Sequence, residues 1–270
     1  MKASETPVHR RSTLRAGAGA ALTGVLAAGC ADERGVVTTS AKTPATTPAT
    51  TPGGAKPPAP RPAPAPHRFP GQPVLIDHGP RHRARVALTF HGQGDPAIAR
   101  TVLAEVERAH ARITVLAVGS WLDEHPDMAR RILDGGHDLG NHTQHHADIS
   151  AMGEAEAYAE ITGCAQRLRR LTGSIGTWFR PSRTQYATPL VQRLAQRAGY
   201  PHVLSYDVDS LDFTSPGAAA VTRKVAGEIR NGSVVSLHFG YADTVAALPV
   251  LLTEIDRRGL RAVTTTELLT

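Results

Sequence analysis

The sequence predicts an α/β barrel with about seven strand–helix units, a distorted (β/α)7 arrangement, over residues 74–270. Short apolar runs of strand length alternate there with amphipathic helices, which is typical of a parallel sheet covered by helices. The number of units favours a barrel over an open sheet, the alternative architecture. In such a barrel the carboxyl ends of the strands meet at one face, and polar residues follow most of the predicted strands.

Each strand is predicted from a short apolar run bounded by turn or helix signals. The first run, 86–90, reads Val-Ala-Leu-Thr-Phe, and the weakest, 137–140, contains only one large apolar residue. The predicted strands cover 86–90, 113–118, 137–140, 177–179, 203–206, 234–237 and 261–263.

Proline in the first turn and glycine after the last turn mark the helices between these strands. Pro96 opens the first helix, and Gly135, Gly173 and Gly199 end three later ones. The predicted helices cover 96–110, 126–133, 155–171, 189–198, 216–229 and 244–257, followed by a short terminal helix.

The basic charge of the chain lies outside the predicted barrel. The 270 residues carry a formal net charge of +6. Residues 1–73 contain nine of the 30 basic and three of the 24 acidic side chains, so residues 74–270 contain 21 of each. A nucleic-acid binder needs a basic surface on its folded part. We therefore predict no nucleic-acid partner.

Residues 1–29 resemble an export signal. Paired arginines at positions 10 and 11 precede an apolar run, 16–28, and small residues lead to Cys30. This order is typical of a signal peptide, here with a twin-arginine-like start. Cys30 resembles the lipidated cysteine of bacterial lipoproteins; a signal cut elsewhere, with a free thiol, is the alternative. We expect an exported protein that is lipid-anchored to the outer face of the cell membrane.

Residues 30–73 are predicted to form a disordered tether rich in Pro, Thr and Ala. Their repeated Thr-Pro and Ala-Pro pairs favour an extended backbone without regular hydrogen bonds. If Cys30 carries lipid, the only other cysteine, Cys164, has no disulfide partner in the chain. Cys164 lies among apolar residues at helical spacing, so we expect a buried, unreactive thiol.

Titratable side chains at the strand ends indicate a functional site. His142 and His146 are four residues apart, which on a helical turn places two imidazoles on one face, as a divalent metal such as Zn²⁺ requires. A solvated histidine cluster is the alternative, and His145 is expected to point elsewhere. The polar strand ends carry His91, Asn141 with His142, Arg180, the segment 207–212, and His238.

Four motifs in order carry a family resemblance. Residues 142–146 read His-Thr-Gln-His-His, 179–181 read Phe-Arg-Pro, 207–213 read Asp-Val-Asp-Ser-Leu-Asp-Phe, and 233–238 end in histidine. Over roughly residues 85–265 the sequence resembles the polysaccharide deacetylase family with the NodB homology domain (carbohydrate esterase family 4). The resemblance implies a NodB-type barrel that uses a divalent metal, expected to be zinc, to remove N- or O-acetyl groups from a polysaccharide.

The resemblance also implies residue roles and partners. His238 is the acid that protonates the leaving group, Asp212 orients it, and Arg180 orients a catalytic carboxylate. The implied substrate is an acetylated extracellular or cell-wall polysaccharide. The membrane is a second expected partner, through lipidated Cys30 of the leader. We expect the protein to be a monomer.

The first motif departs from the family pattern. The family reads Thr-Phe-Asp-Asp-Gly, in which the first Asp is the base and the second a metal ligand, whereas residues 89–93 read Thr-Phe-His-Gly-Gln. In one interpretation His91 completes a metal site with His142 and His146, and Asp95 serves as base or supporting partner. In a second, Asp95 is the ligand and His91 the base. In a third, the site has decayed and the barrel only binds a glycan. Hydrolysis of a non-sugar C–N bond is a further rival.

Overall fold

A computed structural model describes residues 63–270. The strands are β1 (Leu75–Ile76), β2 (Arg85–Gly92), β3 (Thr114–Ala117), β4 (Asp138–Asn141), β5 (Val203–Leu204), β6 (Val208–Asp209), β7 (Val234–His238) and β8 (Arg261–Ala262). The α-helices are α1 (Pro96–Arg108), α2 (Gly119–Glu124), α3 (Asp127–Asp134), α4 (Glu154–Thr172), α5 (Pro189–Ala198), α6 (Ala218–Glu228), α7 (Ala242–Arg257) and α8 (Thr265–Leu269). Two short 3₁₀ helices cover Ile149–Ala151 and Asp212–Thr214.

The named strands pair in parallel, with β2 at the centre of the barrel wall. The hydrogen-bonded order is β4-β3-β2-β7-β6, and β8 pairs with the first residues of β2. Single bridges at Phe179 connect β4 to β5, and β5 pairs with β1. The alternation of strands and helices and the (β/α)7-type barrel predicted from the sequence are confirmed.

Register within the wall places the polar strand ends side by side. His91, near the end of β2, is aligned with His238 at the end of β7. The apolar residues of β2 are buried because helices cover the outer face of the wall and side chains fill its interior. The same strands that form the core therefore deliver their last residues to one common face.

Some short elements differ from the sequence expectation. The segment 177–179 forms bridges only at Phe179 rather than a continuous strand. Two-residue strands β1 and β6 and the six-residue helix α2 were not predicted. Their apolar runs are too short for a period of 2 or 3.6 residues to be recognised.

The last residues of the predicted disordered tether, 63–73, are packed against the barrel, which corrects the sequence expectation for this segment. Within residues 63–73, Phe69 is buried and its ring stacks on Trp178 at 5.3 Å between centroids. Its backbone N–H donates to His202 Nε2 at 2.9 Å, and the Ala63 N–H donates to the Thr172 carbonyl at 3.2 Å. An aromatic side chain among the prolines buries its apolar surface, which holds this part of the tether against the barrel.

The remaining expectations for the leader lie outside the described residues, namely the export signal, Cys30 and the tether before residue 63. Across residues 63–270, no helix combines the length and apolar character needed to cross a membrane. Cys164 is buried, and burial raises the pKa of its thiol to about 12, so the expectation of a buried thiol is confirmed.

Candidate active site

Three histidines from two strand ends form a compact cluster. His91 belongs to β2, and His142 and His146 follow β4. One ring nitrogen of each lies within 4.8 Å of those of the other two. The His91 and His142 rings are 4.3 Å apart between centroids, and the His142 and His146 rings are 4.9 Å apart. Three imidazoles at this separation match the ligand set of a catalytic zinc site with one open position.

The loop between His142 and His146 is not a helical turn, which corrects the sequence expectation. Thr143 and His146 both have left-handed backbone conformations, with φ of 68° and 56°. The loop is held by its own polar groups, because the Asn141 side-chain oxygen accepts from the Thr143 N–H and the Thr143 hydroxyl accepts from the His146 N–H. The two imidazoles converge through this tight loop rather than through one face of a helix.

His142 has one ring nitrogen fixed and one free. Its Nδ1 donates to the Arg180 carbonyl oxygen at 3.0 Å, which leaves the lone pair on Nε2. Nε2 is buried and has no hydrogen-bond partner among residues 63–270. A buried polar atom without a partner is costly. The His142 side chain therefore fits a metal ligand whose outer nitrogen is oriented by a backbone carbonyl.

The cluster consists of neutral imidazoles. Burial, followed by the charges of neighbouring histidines, lowers the pKa of His91 and of His142 well below the usual value. Burial also lowers the pKa of His146. Neutral imidazole is the form that binds a metal, so the donor set, its protonation state and its spacing fit a divalent cation.

Gly92 occupies the position of the missing aspartate ligand. A Cβ atom there would lie 2.9 Å from Val115 Cγ1 and 3.0 Å from the Ala117 Cα. The close approach of β3 therefore leaves no room for a side chain at residue 92 without movement of β3.

A second hydrogen-bonded group lies beside the cluster. His238 Nδ1 bonds to Asp212 Oδ1 at 2.6 Å, and the His238 backbone N–H donates to Asp212 Oδ2 at 2.8 Å. The Thr244 hydroxyl donates to Asp212 Oδ2 at 2.5 Å. His238 is 4.3 Å from His91 between ring centroids. The buried carboxylate orients the His238 ring, so its other nitrogen is available to exchange a proton in the cavity.

Arg180 lies behind the cluster and is fully buried. It donates through Nε to the Leu204 carbonyl at 3.2 Å and through Nη2 to the Ser205 carbonyl at 2.9 Å. Its Nη1 has no partner. Burial lowers the pKa of Arg180 to about 10, which leaves it a cation at neutral pH. Within the described part of the chain the guanidinium bonds only to backbone carbonyls, in keeping with the loss of the carboxylate it is expected to orient.

Asp95 is a correction to the sequence-based hypotheses. Its side chain caps α1, with Oδ1 accepting from the Ala97 N–H at 2.8 Å, and the residue is exposed. It is not among the residues that line the cavity. Asp95 directly precedes Pro96, and an aspartate before a helix-opening proline satisfies free backbone donors. The structure thus brings together His91, His142, His146 and His238, and leaves Asp95 outside.

His145 points elsewhere, as expected. Its Nδ1 and its backbone N–H both bond to the Glu160 carboxylate, at 2.6 and 2.8 Å. Its side chain is 66% exposed. His145 is therefore available as a matched control for the two histidines that flank it.

His91, His146 and His238 line one cavity of about 550 Å³. Its lining includes residues that the sequence argument did not single out, namely Asp209, Tyr206, Phe213 and Tyr241. The rings of Phe213 and Tyr241 both lie edge-on to His238, at 5.4 and 5.8 Å between centroids. The motif at 207–213 contained the signal for Asp209 and Phe213; no pattern indicated Tyr206 or Tyr241.

Comparison with known proteins places the chain in a family. A family model described as polysaccharide deacetylase matches residues 78–203. A peptidoglycan-N-acetylglucosamine deacetylase from Bacillus cereus is 30% identical over 194 residues, which cover 70% of this chain and 90% of that protein. The chain belongs to the polysaccharide deacetylase family. Deacetylases of this family are metal-dependent, which agrees with the donor set of the histidine cluster.

Two solved structures agree on the fold of this polysaccharide deacetylase family member. A peptidoglycan N-acetylglucosamine deacetylase superposes with a TM-score of 0.68 at 24% identity, covering 73% of this chain and 92% of the other. A carbohydrate esterase family 4 pseudoenzyme from Bacillus anthracis superposes with a TM-score of 0.69 at 22% identity, covering 74% and 70%. The fold is thus common to a deacetylase and a pseudoenzyme, and activity has to be argued from the site.

Proposed function

We propose that the protein is a metal-dependent deacetylase of an acetylated extracellular or cell-wall polysaccharide. The observation that carries the proposal is the buried, unpartnered His142 Nε2, which faces the His91 and His146 rings beside the His238–Asp212 pair. A protein that only bound glycan would gain nothing from this donor set, and leaving the nitrogen unpaired costs stability.

His91, His142 and His146 are the residues that would hold the cation, with zinc as the expected metal. The bound cation would polarise the acetyl carbonyl and lower the pKa of a water molecule. The Arg180 carbonyl holds the His142 ring in the orientation that presents Nε2. The chain thus supplies a preformed set of three neutral donors.

His238 protonates the leaving group in this proposal. Asp212 holds the Nδ1 side of the ring, so the opposite nitrogen carries the proton toward the cavity. The acetyl C–N or C–O bond breaks as the leaving nitrogen or oxygen takes that proton. Such general acid catalysis is worth about 10²- to 10⁴-fold in rate.

The cavity suits a sugar chain. It is lined by Phe213, a residue that is 45% exposed, and an exposed aromatic ring offers an apolar surface against which a sugar ring can pack. The sequence relative with 30% identity acts on peptidoglycan N-acetylglucosamine, which supports an N-acetylated cell-wall polymer as substrate.

The test is acetate release by zinc-loaded protein from N-acetylated peptidoglycan fragments and chitooligosaccharides. We expect acetate from the wild type together with about one equivalent of metal, and neither from the double variant His142→Ala, His146→Ala. A wild type that binds zinc and releases no acetate from any acetylated glycan would contradict the proposal.

A second candidate is a glycan-binding module without activity. The specific observation in its favour is that neither aspartate of the family's first motif is present at residues 91 and 92. This candidate predicts metal-free protein that still binds oligosaccharide, so binding measured in the presence of a chelator separates the two.

We also propose that the protein is exported and lipid-anchored through Cys30. The charged, apolar and small-residue order of 1–29 supports export. Metabolic labelling with a fatty-acid analogue tests it, because Cys30→Ser should abolish labelling and release the protein from the membrane fraction. Unchanged labelling of Cys30→Ser would contradict the anchor.

A further inference from the structure

Hydrolysis needs a group that takes a proton from water, and the usual aspartate is absent at position 91. If His91 is a metal ligand, its side chain is not free for this role. One carboxylate, that of Asp209, is among the cavity-lining residues of the described chain. Asp209 is therefore the candidate for the missing base, an inference that rests on the proposed function.

Strand register places Asp209 beside the cluster. Asp209 ends β6 and is aligned with Ser236 of the neighbouring strand β7. The Ser236 hydroxyl lies 3.5 Å from His91 Nε2. Aligned residues on neighbouring strands point to the same face. Asp209 therefore projects toward the barrel interior next to Ser236, and both line the cavity together with His91.

The surroundings of Asp209 orient its carboxylate. Its Oδ1 accepts from the Leu211 N–H at 3.1 Å, and Tyr206 lines the same cavity. Burial, with a further contribution from Asp209, raises the pKa of Tyr206 to about 12, so this phenol remains a donor. The residue is half-buried, which leaves access for a water molecule.

Arg180 supplies the matching positive charge. Its guanidinium is buried 5.3 Å from the Tyr206 ring centroid, its Nη1 is unpartnered, and Asp209 is the acidic residue whose charge stabilises it. In the family pattern this arginine orients the carboxylate at residue 91. Here the carboxylate within its electrostatic reach comes from β6 instead.

The other nearby carboxylates, Asp212 and Asp95, already accept hydrogen bonds from other groups of the chain. Asp212 is fully buried and accepts from the His238 ring, the His238 backbone and Thr244. Asp95 caps α1 at the surface. Neither has a free oxygen facing the histidine cluster.

We propose that Asp209 is the general base that replaces the missing aspartate of the first motif. A water O–H bond breaks as Asp209 takes the proton, and the water oxygen forms a bond to the acetyl carbon. His238 gives its proton to the leaving nitrogen or oxygen, the bond to the acetyl carbon breaks, and acetate leaves. Asp209 then gives its proton to solvent and His238 takes one up from solvent, so both residues are regenerated and the step is a balanced hydrolysis.

Asp209→Asn and Asp209→Ala test the proposal in zinc-loaded, full-length protein. We expect kcat to fall by about 10²- to 10⁴-fold in both, with metal content and the Kd of a chitooligosaccharide unchanged. Added formate should restore part of the activity of Asp209→Ala but not that of Asp209→Asn, since only the alanine variant leaves space for a carboxylate. Thermal unfolding of each variant checks that the fold is intact.

Asp95→Asn is the matched control, because asparagine also caps helices and the residue lies outside the cavity. We expect its kcat to stay within about twofold of the wild type, as for an ordinary surface change. If the wild type is active and Asp209→Asn is equally active, the base role of Asp209 is wrong while the proposed function stands. Loss of metal from Asp209→Asn would also overturn it, by making Asp209 a ligand. A wild type that binds metal and releases no acetate contradicts the proposed function, and the base role with it.

Discussion

The two sides of the cavity differ in how complete they are. On the acid side, both Asp212 carboxylate oxygens and His238 Nδ1 have hydrogen-bond partners within the chain. On the metal side, His142 Nε2 is buried with no partner. On the acid side, protein atoms supply every hydrogen-bond partner of these groups. On the metal side, the lone pair of the buried imidazole nitrogen needs a partner that accepts electrons, such as a metal cation. Residues 91 and 92 on the metal side of the proposed site therefore depart from the family pattern, whereas His238 and Asp212 on the acid side match it.

Removing a ligand from the metal side has the largest expected effect. His142→Ala deletes the buried Nε2, and metal affinity should fall by more than about 100-fold, since even residues that only orient a ligand are worth 10- to 100-fold. Metal content measured by mass spectrometry after dialysis checks this. His145→Ala, which removes a neighbouring imidazole paired with Glu160, should keep its metal. Equal metal loss in both variants would contradict the site.

Removing the acid should separate the two sides. His238→Ala should keep its metal and lose about 10²- to 10⁴-fold in kcat, because the imidazole acts on the leaving group. Steady-state acetate release and metal content measured on the same sample check this. Metal lost together with activity would mean that His238 belongs to the metal side.

Restoring the family residues tests how far the metal side has changed. His91→Asp should keep metal binding, because a carboxylate can replace an imidazole as a zinc ligand. Gly92→Asp should lower the free energy of unfolding by about 1–3 kcal/mol, because its side chain meets Val115 and the backbone of Ala117. Metal content measured after dialysis checks the expectation for His91→Asp, and urea unfolding checks the free energy of unfolding of Gly92→Asp. A stable Gly92→Asp variant would show that β3 yields more readily than its packing implies.

Thr244→Val has the smallest expected effect. It removes one of the three hydrogen bonds to the Asp212 carboxylate and leaves the two from His238. One hydrogen bond is worth about 1 kcal/mol, which corresponds to about fivefold in kcat if all of it acts on the transition state. The kcat of Thr244→Val, compared with that of Thr253→Val on the exposed face of α7, checks it. A loss as large as that of His238→Ala would mean that Thr244 has a direct role.

The sequence predicted the barrel and the polar strand ends because both follow from periodicity and from the parallel arrangement. It placed His142 and His146 together for the wrong local reason, since left-handed residues in a tight loop leave no periodic signal. It assigned Asp95 to the site because Asp95 is only four residues from His91 along the chain. In the structure the side chain instead caps α1 by accepting from a backbone N–H. The sequence passed over Asp209, whose place depends on the pairing of β6 with β7, a contact between segments far apart in the chain.

The zinc-soaked crystal structure tests the central claim most directly, because it shows which side chains hold the cation. We expect one zinc ion bound by His91, His142 and His146 at about 2.0–2.1 Å, with Asp95 still capping α1. A zinc ion held by Asp95 in place of His91, or no zinc at the histidine cluster, would contradict it.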